Sequence, residues 1–209
     1  MKTYRFCLGI AAFVGTIFLP VVARATSDVT VSTSPTSGGT FSVANPAVFT
    51  PTADAAVAGT ADIVTKLNAG TGVTLNTASS AARNGNLTVS SAIAKTAGAN
   101  ATLTLNAVRD LAVNAAISST VGTLPLVLNA GGNISITQAI TSNGGNITFA
   151  PAAGQTLTLA ANLNAGAGQL LLQTGGVESP AAVTVTASGV QVSGSSAKSV
   201  LTEGKQGSS

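Results

Sequence analysis

From residue 85 onward the chain alternates aliphatic and small polar residues in short runs, separated by Gly, Asn, Ser and Ala. A period of two sends successive side chains to opposite faces, so each run reads as a half-buried strand. Four segments share one pattern: Asn or Asp, aliphatic, small polar, apolar, two spacers, Ala-Ile. They are Gly85-Asn86-Leu87-Thr88-Val89-Ser90-Ser91-Ala92-Ile93, Asp110-Leu111-Ala112-Val113-Asn114-Ala115-Ala116-Ile117, Gly132-Asn133-Ile134-Ser135-Ile136-Thr137-Gln138-Ala139-Ile140 and the shorter Gly145-Asn146-Ile147-Thr148-Phe149. Further alternating runs lie between and after them at residues 102–105, 124–128, 156–159, 170–172 and 183–186. Gly, Asn and Ser in the gaps are turn formers. No helix-period stripe crosses this stretch.

Asn86, Asp110 and Asn133 follow one another at 24 and 23 residues. A repeat of that length, built from short strands and tight turns, predicts an all-β fold, a right-handed parallel β-helix or solenoid. Coils then stack at about 4.8 Å and bury aliphatic ladders in a thin core, which large aromatics are expected to fit poorly. Asn86, Asp110, Asn133 and Asn146 are the candidate ladder positions, each placed to hydrogen-bond its counterpart one coil away. Their competing role is turn formation alone. Asn146 breaks the period, so either it begins another strand of the same coil or one coil is short. A Greek-key β-sandwich is the alternative fold.

One helix precedes the repeats. Residues 60–70 begin with Thr60 as N-cap, carry Asp62 in the first turn and Lys66 in the last, and end on Gly70. Ile63, Val64 and Leu67 form its apolar face, and a helix this short needs docking. It is expected to cap the first coil, whose open edges need a cover. The expected division is a signal peptide at 1–25, an N-terminal lead or cap at 26–59, repeats at 60–192 and a disordered Ser/Gly-rich tail at 193–209.

The signal peptide changes the charge balance. Lys2 and Arg5 precede an apolar run, and Ala23 and Ala25 supply the small residues of a cleavage site after Ala25. Cleavage would leave no membrane span. The chain has a net charge of +3. Loss of Lys2, Arg5 and Arg24 leaves six basic residues against six acids, so the mature chain is neutral. The sole Cys, Met and Tyr leave with the leader, and Phe41, Phe49 and Phe149 are the remaining aromatics.

These counts narrow the chemistry. The chain has no His, and the mature part has no Cys, which excludes His-based catalysis and His or Cys metal ligation. Polysaccharide lyases and hydrolases also use parallel β-helices, but they need clustered carboxylates for acid–base work or calcium. Only Asp110 lies within the clear repeats, and a ladder or turn role suits it better than catalysis. No enzyme activity, cofactor or nucleic-acid partner is expected. Thr-x-Thr pairs such as Thr102/Thr104 and Thr156/Thr158 could line up as hydroxyl rows, making ice binding a minor alternative. The Asn-x-Ser/Thr matches at Asn86, Asn133 and Asn146 coincide with the repeat strands and are better explained by them.

The Gly-Asn-Ile-Ser-Ile and Gly-Asn-Ile-Thr-Phe units, the Ala-Ile runs and the stretch Asp62-Ile63…Leu67-Asn68-Ala69-Gly70-Thr71-Gly72-Val73-Thr74-Leu75 resemble the filamentous-haemagglutinin-like repeat proteins of Gram-negative bacteria. The resemblance covers residues 61–176 and implies an exported β-helical adhesin or exoprotein. The Asn-Pro-Asn-Gly-type secretion motif of that family is absent; Ala44-Asn45-Pro46-Ala47 is a partial echo. The expected role is a surface stalk or adhesin segment, outside the cell or on the outer surface, or in the periplasm without a secretion route. Host or cell-surface glycans or proteins are the expected partners. A self-associating extracellular matrix fibre, joined end to end, is the alternative. Loops at Arg83-Asn84, 95–100 and 118–125 are the places for binding.

Overall fold

The computed structural model describes residues 27–78 and 85–173, with the backbone of two further strands at Thr184–Ala187 and Val192–Gly194. The leader at 1–25, the loop residues Arg83 and Asn84, and the tail from 195 lie outside the described residues.

The chain opens with β1 (Asp28–Ser32), β2 (Gly39–Phe41), β3 (Ala47–Pro51) and β4 (Ala55–Gly59), followed by α1 (Thr60–Asn68) and β5 (Val73–Asn76). Regular three-strand coils follow. They are β6 (Leu87–Val89), β7 (Ile93–Lys95) and β8 (Leu103–Ala107), then β9 (Leu111–Val113), β10 (Ile117–Ser119) and β11 (Leu126–Ala130). Next are β12 (Ile134–Ile136), β13 (Ile140–Thr141) and β14 (Ile147–Pro151), then β15 (Thr156–Leu159), β16 (Leu163–Gly166) and β17 (Leu170–Leu172). The last strands are β18 (Thr184–Ala187) and β19 (Val192–Gly194).

Each strand of a coil joins a different sheet. The first face runs β18-β15-β12-β9-β6-β1-β4, the second β19-β16-β13-β10-β7, and the third β17-β14-β11-β8-β5-β3-β2. Every pairing of named strands is parallel except β2 with β3. The fold is therefore an all-β parallel β-solenoid of about six turns with one short helix, and the sandwich alternative falls. The irregular spacing of Asn146 is resolved by the same topology. Asn133 precedes β12 on the first face, and Asn146 precedes β14 on the third face of the same coil.

Register puts like on like. Leu87, Leu111, Ile134 and Leu157 stack on the first face, and Ile93, Ile117, Ile140 and Leu163 on the second. Leu75, Leu105, Leu128 and Phe149 stack on the third. All are buried. Burying one such side chain stabilises by about 1.5–3 kcal/mol, and a slip of one residue would turn the whole set outward. Aromatics fit this core better than expected, because Phe49 and Phe149 are both buried in it. Gly39 makes room for the first: a Cβ there would come within 2.4 Å of the Phe49 ring.

Within the segment 26–59, expected as a lead or cap, β1, β3 and β4 pair in parallel with the stack. Ser193 and Gly194, expected in the tail, belong to β19.

The N-terminal end is closed on all three faces. On the first, β4 is the outermost strand, and Ser37 covers it by exchanging two backbone hydrogen bonds with Val57 at 3.0 and 2.8 Å. On the third, β2 turns back antiparallel on β3. On the second, α1 packs against β7 and stands where a strand would be. Ile63 and Leu67 are its buried anchors.

The residue at the N-cap is Gly59 rather than Thr60, and it has no capping side chain of its own. Its N–H is instead bound by Thr36 Oγ1, which also donates to the Asp62 carboxylate. A Schellman turn closes the other end, with Gly70 at φ 76°, Gly70 N–H on Leu67 C=O and Thr71 N–H on Lys66 C=O.

Candidate functional site

The corner residues before the first face form a continuous chain of hydrogen bonds. Asp28 Oδ1 accepts the Asn86 N–H at 2.8 Å, and Asn86 Oδ1 accepts the Asp110 N–H at 3.2 Å. Asp110 Oδ1 accepts the Asn133 N–H at 2.8 Å, and Asn133 Oδ1 accepts the Thr156 N–H at 2.9 Å. Each link runs from a side-chain oxygen to the backbone of the next coil, not from side chain to side chain. A corner backbone N–H lies outside the strand ladder and needs an acceptor, which the preceding Asx residue supplies. Asp110 needs no donor in this geometry, so carboxylate and amide are interchangeable here.

Asn146 stands apart from the other three candidates. It sits at the corner before the third face, where its Oδ1 accepts the Gln169 N–H at 2.9 Å. Asn100 and Asn45 do the same on that side, for Thr123 N–H at 2.8 Å and Gly72 N–H at 2.9 Å.

A true amide ladder lies elsewhere. Asn129 Nδ2 donates to Asn106 Oδ1 at 2.7 Å, and Asn106 Nδ2 donates to Asn76 Oδ1 at 2.8 Å. These half-buried residues point outward from β5, β8 and β11. Sequence reasoning missed them. The signal was the recurrence of Leu-Asn-Thr/Ala at Leu75, Leu105 and Leu128.

Lys95, expected on a surface loop, is fully buried. Strand alternation turns Ile93 and Lys95 inward and Ala94 outward. The ammonium donates to the carbonyls of Ala97 at 2.6 Å, Gly98 at 3.3 Å and Val121 at 2.6 Å. Burial lowers its pKa from the ordinary 10.5. Ser119 and Ser142 continue the same inward column and bind turn carbonyls in their own coils.

Beside this corner, on the outer surface, lies an open cleft of about 360 Å³. Asn45 and Pro46 of the N-terminal cap line it together with Gly70, Gly72 and Thr74 from one coil, and Asn100, Ala101, Thr102, Thr104 and Pro125 from the next two. Asn100 and Pro125 come from two of the loops singled out in the sequence. No charged side chain lines the cleft. Among the described residues, no group of three or more His, Cys, Asp or Glu side chains converges. Arg109 lies away from the cleft, in the turn after β8, with Nε 3.4 Å from Asp110 Oδ2 and both side chains partly solvated.

No family model matches the chain, and neither a curated protein nor a solved structure matches it.

Proposed function

We propose that this protein is a non-catalytic, exported β-solenoid of the filamentous-haemagglutinin-like type, acting as a surface stalk or adhesin segment. The observation that carries the reading is the commitment of polar side chains to the stack. The corner Asx residues, the Asn76–Asn106–Asn129 ladder and Lys95 all tie one coil to the next or close a turn. The carboxylates of Asp28, Asp62 and Asp110 are likewise taken up by backbone or hydroxyl groups. Such a body serves as a rigid rod, and the leader at 1–25 supports export. Among the described residues no helix is long and apolar enough to cross a membrane.

The test is fractionation and surface proteolysis of cells expressing the full chain, with the purified protein then applied to cells. Cleavage after Ala25, accumulation outside the inner membrane and saturable cell binding are the expected results. A full-length chain retained in the cytoplasm sinks the exported reading; an exported chain that binds nothing leaves the stalk and removes the adhesin.

A further inference from the structure

We propose that the cleft between the N-terminal cap and the third face is a binding site for a neutral saccharide, of one or two sugar rings. For its role the site rests on the surface-binding reading above; its chemistry stands on the cleft alone.

Three features select the ligand class. First, the lining mixes polar and apolar surface in near-equal parts and carries no charge, which suits hydroxyl-rich neutral ligands and gives nothing to pair with a carboxylate, sulfate or phosphate. Second, its hydrogen-bonding groups are free and already oriented. Asn45 and Asn100 each spend Oδ1 on a backbone N–H, at 2.9 and 2.8 Å. That bond fixes the amide plane, and Nδ2 remains as a donor pair. The hydroxyls of Thr74, Thr102 and Thr104 have no partner among the described residues, and each can donate and accept. A sugar hydroxyl needs this mixture, because it too donates and accepts. Third, Pro46 and Pro125 present ring C–H surface against which the apolar face of a sugar can lie.

Cleft size agrees. About 360 Å³ is at the low end of small-molecule sites, enough for one or two rings and too small for a folded partner. Glycine at residue 72 keeps side-chain bulk out of the lining. A Cβ there would meet Pro46 Cβ and Thr102 O at 3.4 Å and Asn45 Oδ1 at 3.5 Å, so any longer side chain would occupy the cleft.

The test uses the purified mature chain and a panel of neutral hexoses, N-acetylhexosamines and their disaccharides, read by saturation-transfer NMR and calorimetry. Sialyllactose and glucuronate serve as anionic controls. At least one neutral sugar is expected to bind, with a Kd on the order of 1 mM or tighter. Thr74→Val/Thr104→Val keeps shape while removing two hydroxyls and is expected to weaken binding at least tenfold. Gly72→Val is expected to abolish it. Circular dichroism and melting of both variants check that the coil stack persists; should Gly72→Val fail to fold, the double Thr variant decides alone.

Absence of binding across the panel overturns the proposal, as does binding that the folded Thr variant leaves undiminished. Preference for the anionic controls overturns it too. None of these outcomes bears on export, so failure of the saccharide site and failure of the surface reading are separable.

Discussion

Asp110 divides its carboxylate between two neighbours: Oδ1 takes the Asn133 N–H at 2.8 Å, and Oδ2 faces Arg109 Nε at 3.4 Å. The first contact joins two coils; the second lies in solvent. Asp110→Asn is therefore expected to leave stability within about 0.5 kcal/mol, because Asn86 and Asn133 do the same work with amide oxygens. Asp110→Ala strips the Asn133 N–H of its acceptor and should cost about 1.5–3 kcal/mol. Urea unfolding of the two variants checks the contrast. Equal loss in both would give the weight to charge rather than to the corner bond.

Position in the amide ladder sets the second expectation. Asn106 both donates and accepts, whereas Asn129 only donates to it. At about 1 kcal/mol per bond, Asn106→Ala should cost roughly twice as much as Asn129→Ala. Chemical denaturation of both variants in one buffer is the measurement. Equal costs would mean that the ladder bonds are replaced by water without loss.

Lys95→Met keeps the length of the side chain and withdraws its donors from the Ala97 and Val121 carbonyls. A loss of about 1–3 kcal/mol is expected near neutral pH, with the Gly98 turn loosened in amide exchange. The pH dependence has a defined sign. Burial lowers the folded-state pKa below 10.5, so between that value and 10.5 the unfolded chain holds more protons than the folded one. The lysine's contribution to stability should therefore rise as pH climbs through that window, and Lys95→Met should lack this rise. Denaturant midpoints of both proteins across mildly alkaline pH decide it.

The cap makes a prediction about assembly. Ser37→Pro deletes the N–H that binds Val57 C=O and exposes the outer edge of β4. Leu67→Ala loosens the helix that covers β7, at a cost of about 2–5 kcal/mol. Both variants should associate in a concentration-dependent way by light scattering, while the parent stays monodisperse. A parent chain that itself forms fibres would favour the matrix reading over the stalk.

The regular part of this fold was legible because it is written locally. Leu87, Leu111, Ile134 and Leu157 recur at one period, and alternation alone says which of them turn inward. The Ala-Ile units were visible as a motif, yet that they form a face of their own at Ile93, Ile117 and Ile140 was not, since those strands are too short to alternate convincingly. The strands within the N-terminal cap were illegible for a different reason. β1 finds its partners at Ala55 and Leu87, and no pattern within β1 announces either. Lys95 misled because charge usually marks a surface; here a ring of turn carbonyls takes the place of water. The cleft was illegible altogether. Its residues are Gly, Ala, Thr, Asn and Pro from four separate stretches, and only stacking brings them together.

The place of β1 between β4 and β6 sets chain order and stacking order at odds. Among the described residues the strand that comes first in sequence occupies the second row, and both of its edges are filled by strands that come later. The segment that follows winds outward to lay the terminal row, and only then does the polypeptide reverse through α1 and begin the long regular ascent. On the first face the terminal row is therefore joined to the regular coils only through β1, and a chain lacking that strand could not carry its cap there.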